Sequence, residues 1–468
     1  MKGYNHFHLV YSLKFIQKTL IVCLVPLIRA LLDFDLASLY TAFLQQLALL
    51  AVLAGISFVV WLRGGWKLEP GGLTLRYGVL LIRSRTLTPA QIAVVELRRT
   101  VPLRLLGATR VTVYLAKGAS LPKAHFFLPK EDAALLAEQL MPVKEATSFY
   151  QPTGAQRLSL TMLSANLMTT AVLTWFAVRQ TAETFGQILP DNWQQLNAVT
   201  LRNLATLEHI ISRIVPTGVA WLFTLMLVLS CLSLVGSSLR TARFEVARHG
   251  GVIVCGGGLL TLTQRRVRAS AVTVCDVRST LAARLLRRYP VYLFAGSYNG
   301  GDIPVLVYKR GQEDLLEALM PEFRIPRPTR RPSRTLRRSK AAFMALPGIL
   351  LGFTFVLLLV SLWRLPVMTP VLTLLCLVFL VYLLVQTQGY FIEDAWRSEL
   401  DVLTARYVRG FTLHTVCVFT DDVSFGTRQT PFSEMRGRCT LRMRMPFHRL
   451  VRVRSLEQFR AMNLPLDV

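Results

Sequence analysis

The feature that most constrains this chain is the alternation of long uncharged apolar runs with stretches rich in arginine. Hydrophobic residues make up 52% of the 468 residues and charged residues only 17%, yet the formal net charge is +27. A chain that is both apolar and strongly basic must keep the two kinds of residue apart, which is typical of integral membrane proteins. This composition excludes a disulfide scaffold and a disordered chain, and it argues against a free nucleic-acid-binding protein.

Six apolar stretches have about the 20 residues that a helix needs to cross the hydrocarbon layer of a membrane. They cover approximately residues 15–32, 43–62, 158–178, 214–235, 341–363 and 367–385. Arg29 is the only charge well inside any of them, and Asp33 lies four residues further on, where it can pair with Arg29. The sequence therefore predicts six transmembrane helices in three pairs.

The basic residues fall almost entirely on one side of these predicted spans. Of the 54 lysines and arginines, 49 lie near the N-terminus or in segments 63–157, 237–340 and 387–468. Because loops rich in lysine and arginine stay in the cytoplasm, we expect both termini and the three basic segments to be cytoplasmic. None of the seven cysteines lies in a predicted outside loop, so we expect no disulfides.

The basic segments repeat one another. Alternating apolar and polar residues, interrupted by glycines, predict short antiparallel strands, and each segment closes with a short amphipathic helix. Three glycine matches between the first two segments share an offset of 179 residues: Gly71, Gly72 and Gly78 with Gly250, Gly251 and Gly257. Downstream, ELRRTVPLRLL parallels DVRSTLAARLL, whereas the third segment is more divergent and lacks a clear counterpart of LRLLG.

Several antiparallel strands ending in one helix, attached to paired spans, resemble bacterial PH-like-domain membrane proteins of the YdbS/YdbT type, in the longer form with three such domains. The residues that carry the resemblance are the turn at Gly78, TPAQIAVVELRRT and LRLLG, with Gly257, SAVTVCDVRST and ARLL in the second segment. The resemblance implies half-open barrels of about seven strands capped by a helix, and a bacterial inner membrane. It implies no known reaction, and it makes a paired membrane protein of the same family a candidate partner.

The expected fold class is thus integral membrane, α + β, with each of the three transmembrane pairs followed by a cytoplasmic PH-like half-open β-barrel and its C-terminal helix. The three predicted pairs occupy 1–62 (with the N-terminal tail), 147–236 (with an outside loop at 179–213) and 341–386. The three predicted PH-like domains occupy 63–146, 237–325 and 387–468, and a basic linker occupies 326–340.

Two groups of basic residues are candidate contacts for anionic lipid headgroups. The first group lies in the linker and the second on two hairpin strands: Arg327, Arg330, Arg331, Arg334, Arg337, Arg338 and Lys340, then Arg83, Arg85, Arg265, Arg266 and Arg268. A basic residue near an anionic surface contributes about 1 kcal/mol, and guanidinium groups suit phosphate. The alternatives are that the linker only anchors the topology and that the strands only present a solvated face.

The sequence contains no recognisable catalytic or metal-binding pattern. There is no CxxC, HExxH or GxSxG motif, the seven histidines are scattered, and Gly256–Gly258 lack the Lys-Ser or Lys-Thr of a phosphate loop. We therefore expect no enzymatic activity, cofactor, metal or nucleic-acid partner. The leading hypothesis is a non-enzymatic inner-membrane scaffold that contacts anionic phospholipids, protein partners or both, in envelope maintenance or stress resistance. The alternative is a six-helix transporter or lipid-handling permease with regulatory PH-like domains.

Overall fold

The computed structural model describes most of the chain. The described residues are 4–12, 36–78, 82–116, 123–164, 206, 209–210, 212, 217–301, 303–309, 311, 314–321, 341–364, 369–397, 402–419, 423–444 and 450–463. The predicted first span with Arg29, most of the third span and of the outside loop, and the basic linker lie outside these residues. The chain forms two compact units: Met1–Phe149 with Ala242–Ala271 and Gly296–Tyr298, and Tyr150–Thr241 with Val272–Ala295 and Asn299–Val468.

Antiparallel β-structure dominates the described residues, in which twenty strands form four sheets. The strands are β1 (Asn5–His6), β2 (Gly65–Glu69), β3 (Gly72–Tyr77), β4 (Arg83–Leu87), β5 (Ile92–Arg99), β6 (Ala108–Leu115), β7 (Lys123–Pro129), β8 (Ser148–Tyr150), β9 (Glu245–His249), β10 (Val252–Gly257), β11 (Leu262–Arg268), β12 (Val272–Ser279), β13 (Arg288–Ala295), β14 (Leu306–Lys309), β15 (Asp394–Arg397), β16 (Val402–Arg409), β17 (Thr412–Phe419), β18 (Ser424–Arg428), β19 (Arg438–Arg444) and β20 (Leu450–Glu457).

Helices precede, interrupt and close the sets of strands. They are α1 (Leu36–Arg63), α2 (Val101–Leu105), α3 (Lys130–Leu140), α4 (Gly154–Ser164), α5 (Thr217–Thr241), α6 (Leu281–Leu285), α7 (Asp314–Leu319), α8 (Ala341–Arg364), α9 (Thr369–Ile392), α10 (Pro431–Glu434) and α11 (Gln458–Asn463). Two short 3-10 helices, Pro89–Gln91 and Ala269–Ala271, precede β5 and β12.

The strands form three repeats, β2–β7, β9–β14 and β15–β20. Each repeat is a three-stranded meander, then a fourth strand, a short helix, two more strands and a closing helix. Each therefore has six strands within its described residues, where the resemblance implied about seven. Equivalent elements of the first two repeats lie 180 residues apart, from Gly65 and Glu245 to Leu115 and Ala295. The glycine matches suggested 179 because the first turn is Pro70-Gly71 in one repeat and Gly250-Gly251 in the other.

Consecutive repeats share their sheets. The sheet orders are β1-β2-β3-β4, β7-β6-β5-β11-β10-β9-β8, β14-β13-β12-β17-β16-β15 and β18-β19-β20. The fourth strand of the first repeat, β5, therefore pairs with the third strand of the second, β11, and β12 pairs with β17 in the same way. As a result, the first three strands of the second repeat belong to the first compact unit and its last three strands to the second unit.

Each unit has its own hydrophobic core. In the first unit, Leu73, Val113 and Phe126 are buried together with Leu136 of α3. In the second, Leu403, Val416, Leu441 and Val453 are fully buried and join strands of both its sheets. Complete burial of one such side chain contributes about 1.5–3 kcal/mol, so the alternating inward residues of the strands stabilise each core.

The prediction of six transmembrane helices in three pairs, each followed by its own barrel, is wrong. In the described residues two segments are long and apolar enough to cross a membrane, Phe343–Trp363 in α8 and Leu372–Ile392 in α9. The apolar segments Ala51–Arg63 and Leu227–Thr241 are shorter than the about 20 residues that a span requires. Separate barrels do not form because the fourth strand of one repeat completes its hydrogen bonding on the next repeat. The α + β character of the chain is confirmed.

Candidate functional site

Arg265, a predicted lipid contact, lies at the junction of β11 and β5 in the first unit. Its Nε donates to Oε1 of Glu96 at 2.9 Å, and each of these side chains is only 12% exposed. The Tyr114 hydroxyl donates to the same carboxylate at 3.1 Å, and the Arg265 guanidinium lies 5.7 Å from the centre of the Tyr298 ring. Burial raises the pKa of Tyr114 to about 12. The contacts of Arg265 thus join two repeats.

Arg266, the next predicted lipid contact, caps the C-terminus of α3. Its Nη1 donates to the carbonyl oxygens of Ala137 and Met141 at 3.1 and 2.7 Å, and to the Glu138 carboxylate at 2.7 Å. The last carbonyls of a helix have no partner within the helix, and a cation is favoured there by the helix dipole. A hydrogen bond from the backbone of Val143 and another from Arg266 lower the pKa of Glu138. The side chain of Arg266 therefore stabilises the helix.

The remaining predicted arginines of the strands lie nearer to solvent. Arg268 is half-buried at the end of β11. Arg83 is exposed and Arg85 half-buried on β4, opposite Tyr77 and Leu75 of β3. The linker residues Arg327 to Lys340 lie outside the described residues. Among the predicted lipid contacts, the structure thus brings Arg265 and Arg266 into contacts with protein groups and leaves Arg83 at the surface; lipid contact by any of them stays a prediction.

A basic cleft of about 930 Å³ opens in the second unit. It is lined by Arg278, Phe294, Asn299, Tyr407, Val408, Arg409, Thr412, His414, Leu450 and Arg452. These residues come mainly from β12, from the hairpin of β16 and β17, and from β20. Three of them are arginines, and none is acidic. The cleft therefore offers positive charge and hydrogen-bond donors to an anion.

A buried carboxylate beneath the cleft orients two of its basic side chains. Asp276 is fully buried, accepts a hydrogen bond from Arg278 Nε at 3.1 Å, and lies 3.0 Å from His414 Nδ1. The Arg278 guanidinium also lies 3.7 Å above the centre of the Tyr292 ring, and His414 stacks on Tyr407 with the ring centroids 5.0 Å apart. A buried carboxylate requires such partners, and the partners are thereby fixed in position.

The other two arginines of the cleft have no such partners. Arg409 and Arg452 are exposed, and neither makes a hydrogen bond or an ion pair through its side chain within the part of the chain that the structure describes. Their planar guanidinium groups can each donate two parallel hydrogen bonds to a phosphate. The cleft thus combines one arginine held in place with two that are available to an anionic ligand.

The mouth of the cleft lies beside the end of an apolar helix. Gln386 of α9 donates from Nε2 to the carbonyl of Gly410, in the turn between β16 and β17, at 3.1 Å. One helical turn earlier, Tyr382 contacts Phe411 with ring centroids 5.3 Å apart. At 1.5 Å per residue, Gln386 is about 9 Å before the end of α9, where the sequence changes from LLV to QTQ. This places the turn where an interface with lipid headgroups would begin if α9 crosses a membrane.

A buried ion pair attaches the strands of the cleft to both apolar helices. The Glu393 carboxylate, fully buried just after α9, accepts hydrogen bonds from Arg454 Nη2 at 2.6 Å and from the backbone N–H of Val408 at 3.1 Å. Arg454 also donates to Gln386 of α9 and lies 4.2 Å above the ring of Phe343 in α8. Burial raises the pKa of Glu393, and Arg454 opposes this shift. The cleft therefore has a defined position relative to α8 and α9.

All three repeats expose an apolar residue at the C-terminal end of the short helix after the fourth strand. Leu105, Leu285 and Met435 lie five residues after Thr100, Thr280 and Thr430, which precede the helices, and they are 83%, 87% and 85% exposed. The third of these helices, α10, is the counterpart of LRLLG that the divergent third segment lacked in the sequence comparison. An exposed large apolar side chain thus recurs at one equivalent position in all three repeats.

The described residues contain no group of three or more histidine, cysteine, aspartate or glutamate side chains arranged to hold a metal ion. Cys255 and Cys417 are fully buried thiols, and burial raises the pKa of each to about 11. A thiol with so high a pKa is a poor nucleophile at neutral pH.

Residues 21–144 match the family model of the bacterial PH domain. The matched range contains the whole of the first repeat, from β2 to α3. No curated protein and no solved structure matches the chain. The first repeat thus matches a bacterial PH domain, and the second and third repeats follow the same order of strands and helices. Its assignment to the YdbS/YdbT type stays a prediction.

The sequence contained one signal for the cleft that the prediction missed. Asp276 and Arg278 are the equivalents of Glu96 and Arg98, and an acid alternating with a base on a strand indicates paired side chains on one face. The other two arginines of the cleft, Arg409 and Arg452, are more than 40 positions apart. No sequence pattern brings them together, because their proximity depends on the packing of two sheets.

Proposed function

We propose that this protein is a non-enzymatic scaffold of the bacterial inner membrane, of the YdbS/YdbT type, whose PH-like repeats bind anionic phospholipid headgroups and protein partners on the cytoplasmic side. The observation that carries the lipid part of the proposal is the basic cleft of the second unit, with Arg278, Arg409 and Arg452 beside the end of α9. A lipid phosphate could accept hydrogen bonds from the arginines while its acyl chains lie along the apolar helix.

Two further observations support contact with a membrane surface. Leu105, Leu285 and Met435 are exposed at one equivalent position in the three repeats, and partial burial of such side chains in the headgroup region adds to electrostatic attraction. The basic linker lies directly before α8 in the sequence, where lysine and arginine favour the cytoplasmic side. The alternative of a six-helix transporter depended on six spans, and the described residues contain two segments of sufficient length.

The lipid part is tested on the full-length chain, because β11 of the second repeat pairs with β5 of the first and an isolated second repeat would lose that partner. The protein is purified from mixed micelles that contain phosphatidylglycerol and phosphatidylcholine, and retained lipid is counted by native mass spectrometry. Replacing both Arg409 and Arg452 by Gln removes two surface charges, each contributing about 1 kcal/mol, so retention of phosphatidylglycerol should fall about thirtyfold.

The matched control replaces Arg428 and Arg444, two exposed arginines of β18 and β19 outside the lining of the cleft. This variant loses the same net charge, and it should retain phosphatidylglycerol as the wild type does. Equal retention by both double variants would show that net charge attracts the lipid without a specific cleft, and the proposal would then be rejected.

A further inference from the structure

The repeats are joined by one recurring type of strand pairing. In the first junction, β5 adds antiparallel to β11, and Glu96 lies directly opposite Arg265. In the second, β12 adds antiparallel to β17, and Asp276 of β12 contacts His414 of β17. Both junctions thus join the fourth strand of one repeat to the third strand of the next, with an acid of the fourth strand held by a basic side chain of the third.

The first repeat has a third strand of its own, β4, and no strand of another repeat pairs with it among the described residues. Its register on β3 matches that of β11 on β10, with Leu73 opposite Leu87 and Ile253 opposite Val267. Arg85 therefore has the position of Arg265, 180 residues further on. Among the described strands, β4 is the edge of its sheet. It is therefore equivalent to β11, but the side on which β11 pairs with β5 has no described strand next to it in β4.

The exposure of β4 agrees with an edge that can receive another strand. Arg83 and Thr86 are exposed, whereas their equivalents in β11, Thr263 and Arg266, are half-buried. An edge strand presents backbone N–H and C=O groups that can pair with another chain, and strand addition is a common mode of peptide recognition.

We propose that the edge of β4 binds an extended strand of a partner protein, in antiparallel orientation and with a carboxylate opposite Arg85. The partner strand would resemble β5 and β12, and the partner would thus extend the series of repeats at its N-terminal end. This inference specifies the protein-partner part of the proposed function. It does not depend on the lipid cleft.

The chemistry favours a different protein over a second copy of this chain. In a second copy, β5 and β12 already pair with β11 and β17, which leaves β18 as the fourth strand at an edge. Gly426 of β18 lies four residues before Thr430, as Glu96 lies four before Thr100, so this strand lacks the acid. With Arg428 as its only charge, β18 does not complement the basic strand β4.

The test uses the full-length protein in lipid-free detergent micelles and a fluorescent peptide with the sequence of residues 90–100, AQIAVVELRRT, as the probe. Binding is followed by fluorescence anisotropy. In the register of β5 on β11, the peptide places its glutamate opposite Arg85 and the arginine equivalent to Arg98 opposite Arg83. We expect R85E to weaken binding about tenfold, because like charges then face each other. A peptide with lysine in place of the glutamate should restore binding to R85E.

The matched control is R83E, which makes the same charge change two residues away on the same strand. In the expected register it places a carboxylate opposite the peptide arginine, so binding should become a few times tighter. Opposite effects of R85E and R83E support the register, because a peptide with net positive charge attracted only by general electrostatics would bind both variants more tightly.

Three results would overturn the proposal. The first is absence of peptide binding to the wild type, and the second is an equal change in peptide affinity in R85E and R83E. The third is a peptide affinity that R85E leaves unchanged, which is the result expected if the peptide instead displaces β5 from β11. A fourth result would come from sedimentation of the wild type and of R85E. If the wild type associates with itself and R85E abolishes this association, the strand that pairs with β4 belongs to a second copy of the chain. The peptide assay contains no lipid, so its failure is distinguishable from failure of the lipid-retention assay.

Discussion

Breaking the Glu96–Arg265 pair is the most direct test of whether pairing of β5 with β11 holds the first two repeats together. Both side chains are 12% exposed and 2.9 Å apart, and Glu96 also accepts a hydrogen bond from Tyr114. Removing one partner of such a pair leaves a buried charge without compensation, which typically costs about 3–5 kcal/mol. Since a small fraction of each side chain still reaches water, we expect R265M to cost about 3 kcal/mol.

The loss of stability in R265M should be confined to the junction of β5 and β11. It is best measured by hydrogen exchange with mass spectrometry on the protein in detergent micelles. If β5 and β11 separate before their amides exchange, 3 kcal/mol corresponds to about a hundredfold faster exchange in these two strands. Amides of β19, in the second unit, provide an internal reference. Replacing both partners by apolar residues, E96L with R265M, should be less damaging than R265M alone, because no unpaired charge remains.

The control is E69Q, which breaks the Lys67–Glu69 ion pair in the neighbouring sheet. These side chains are 40% and 44% exposed, and ion pairs in that environment contribute little, so exchange should not change measurably. If R265M also leaves exchange of β5 and β11 within about threefold of the wild type, the pair does not hold the junction and the reasoning is refuted.

Three other predictions follow from local geometry and burial. Gly296 has φ +52, and a Cβ there would lie 2.1 Å from the carbonyl oxygen of Leu115, so G296A should lower stability by about 2 kcal/mol or more and reduce the melting temperature in a fluorescence scan. Cys275 and Cys417 are opposite each other and buried, and burial raises both thiol pKa values, so a maleimide at pH 8 should label them only after unfolding. Burial raises the pKa of Tyr114 from 10.0 to about 12. Its contribution to stability is therefore present below pH 10 and lost as the pH rises towards 12, and Y114F should reduce that alkaline loss in unfolding measurements.

Local features of the fold could be predicted well from the sequence. The pattern KEDAALLAEQL corresponds to α3, Lys130–Leu140, and the hairpin of β3 and β4 lies where alternation around Gly78 predicted it. These two predictions are correct because helix periodicity, strand alternation and glycine turns depend on residues that are close together in the chain. Hydropathy predicted the apolar character of α8 and α9 in the same way. It overestimated the number of spans: within the described residues, the apolar segment Leu227–Thr241 of α5 is shorter than the about 20 residues that a span requires.

The predicted site residues illustrate what a local pattern cannot resolve. Arg85 and Arg265 occupy equivalent positions on equivalent strands, and the sequence assigned them the same candidate role. Only the tertiary structure shows that Arg265 contacts Glu96, a residue 169 positions away, and that β4, among the described strands, lies at the edge of its sheet. The residues of the cleft were missed for the same reason, since Arg278 and Arg452 come from different strands of different sheets.

The sequence by itself thus determined the basic and apolar character of the chain, its repeated units and most of their strands and helices. The tertiary structure alone decided which strands pair, which arginines are buried, and which basic side chains meet in one cleft. The physical reason is that neighbouring residues determine whether a segment is extended, but they do not determine which strand it pairs with. The hydrogen-bonding partner depends on long-range packing and on complementary side chains. Here that choice joins neighbouring repeats through shared sheets.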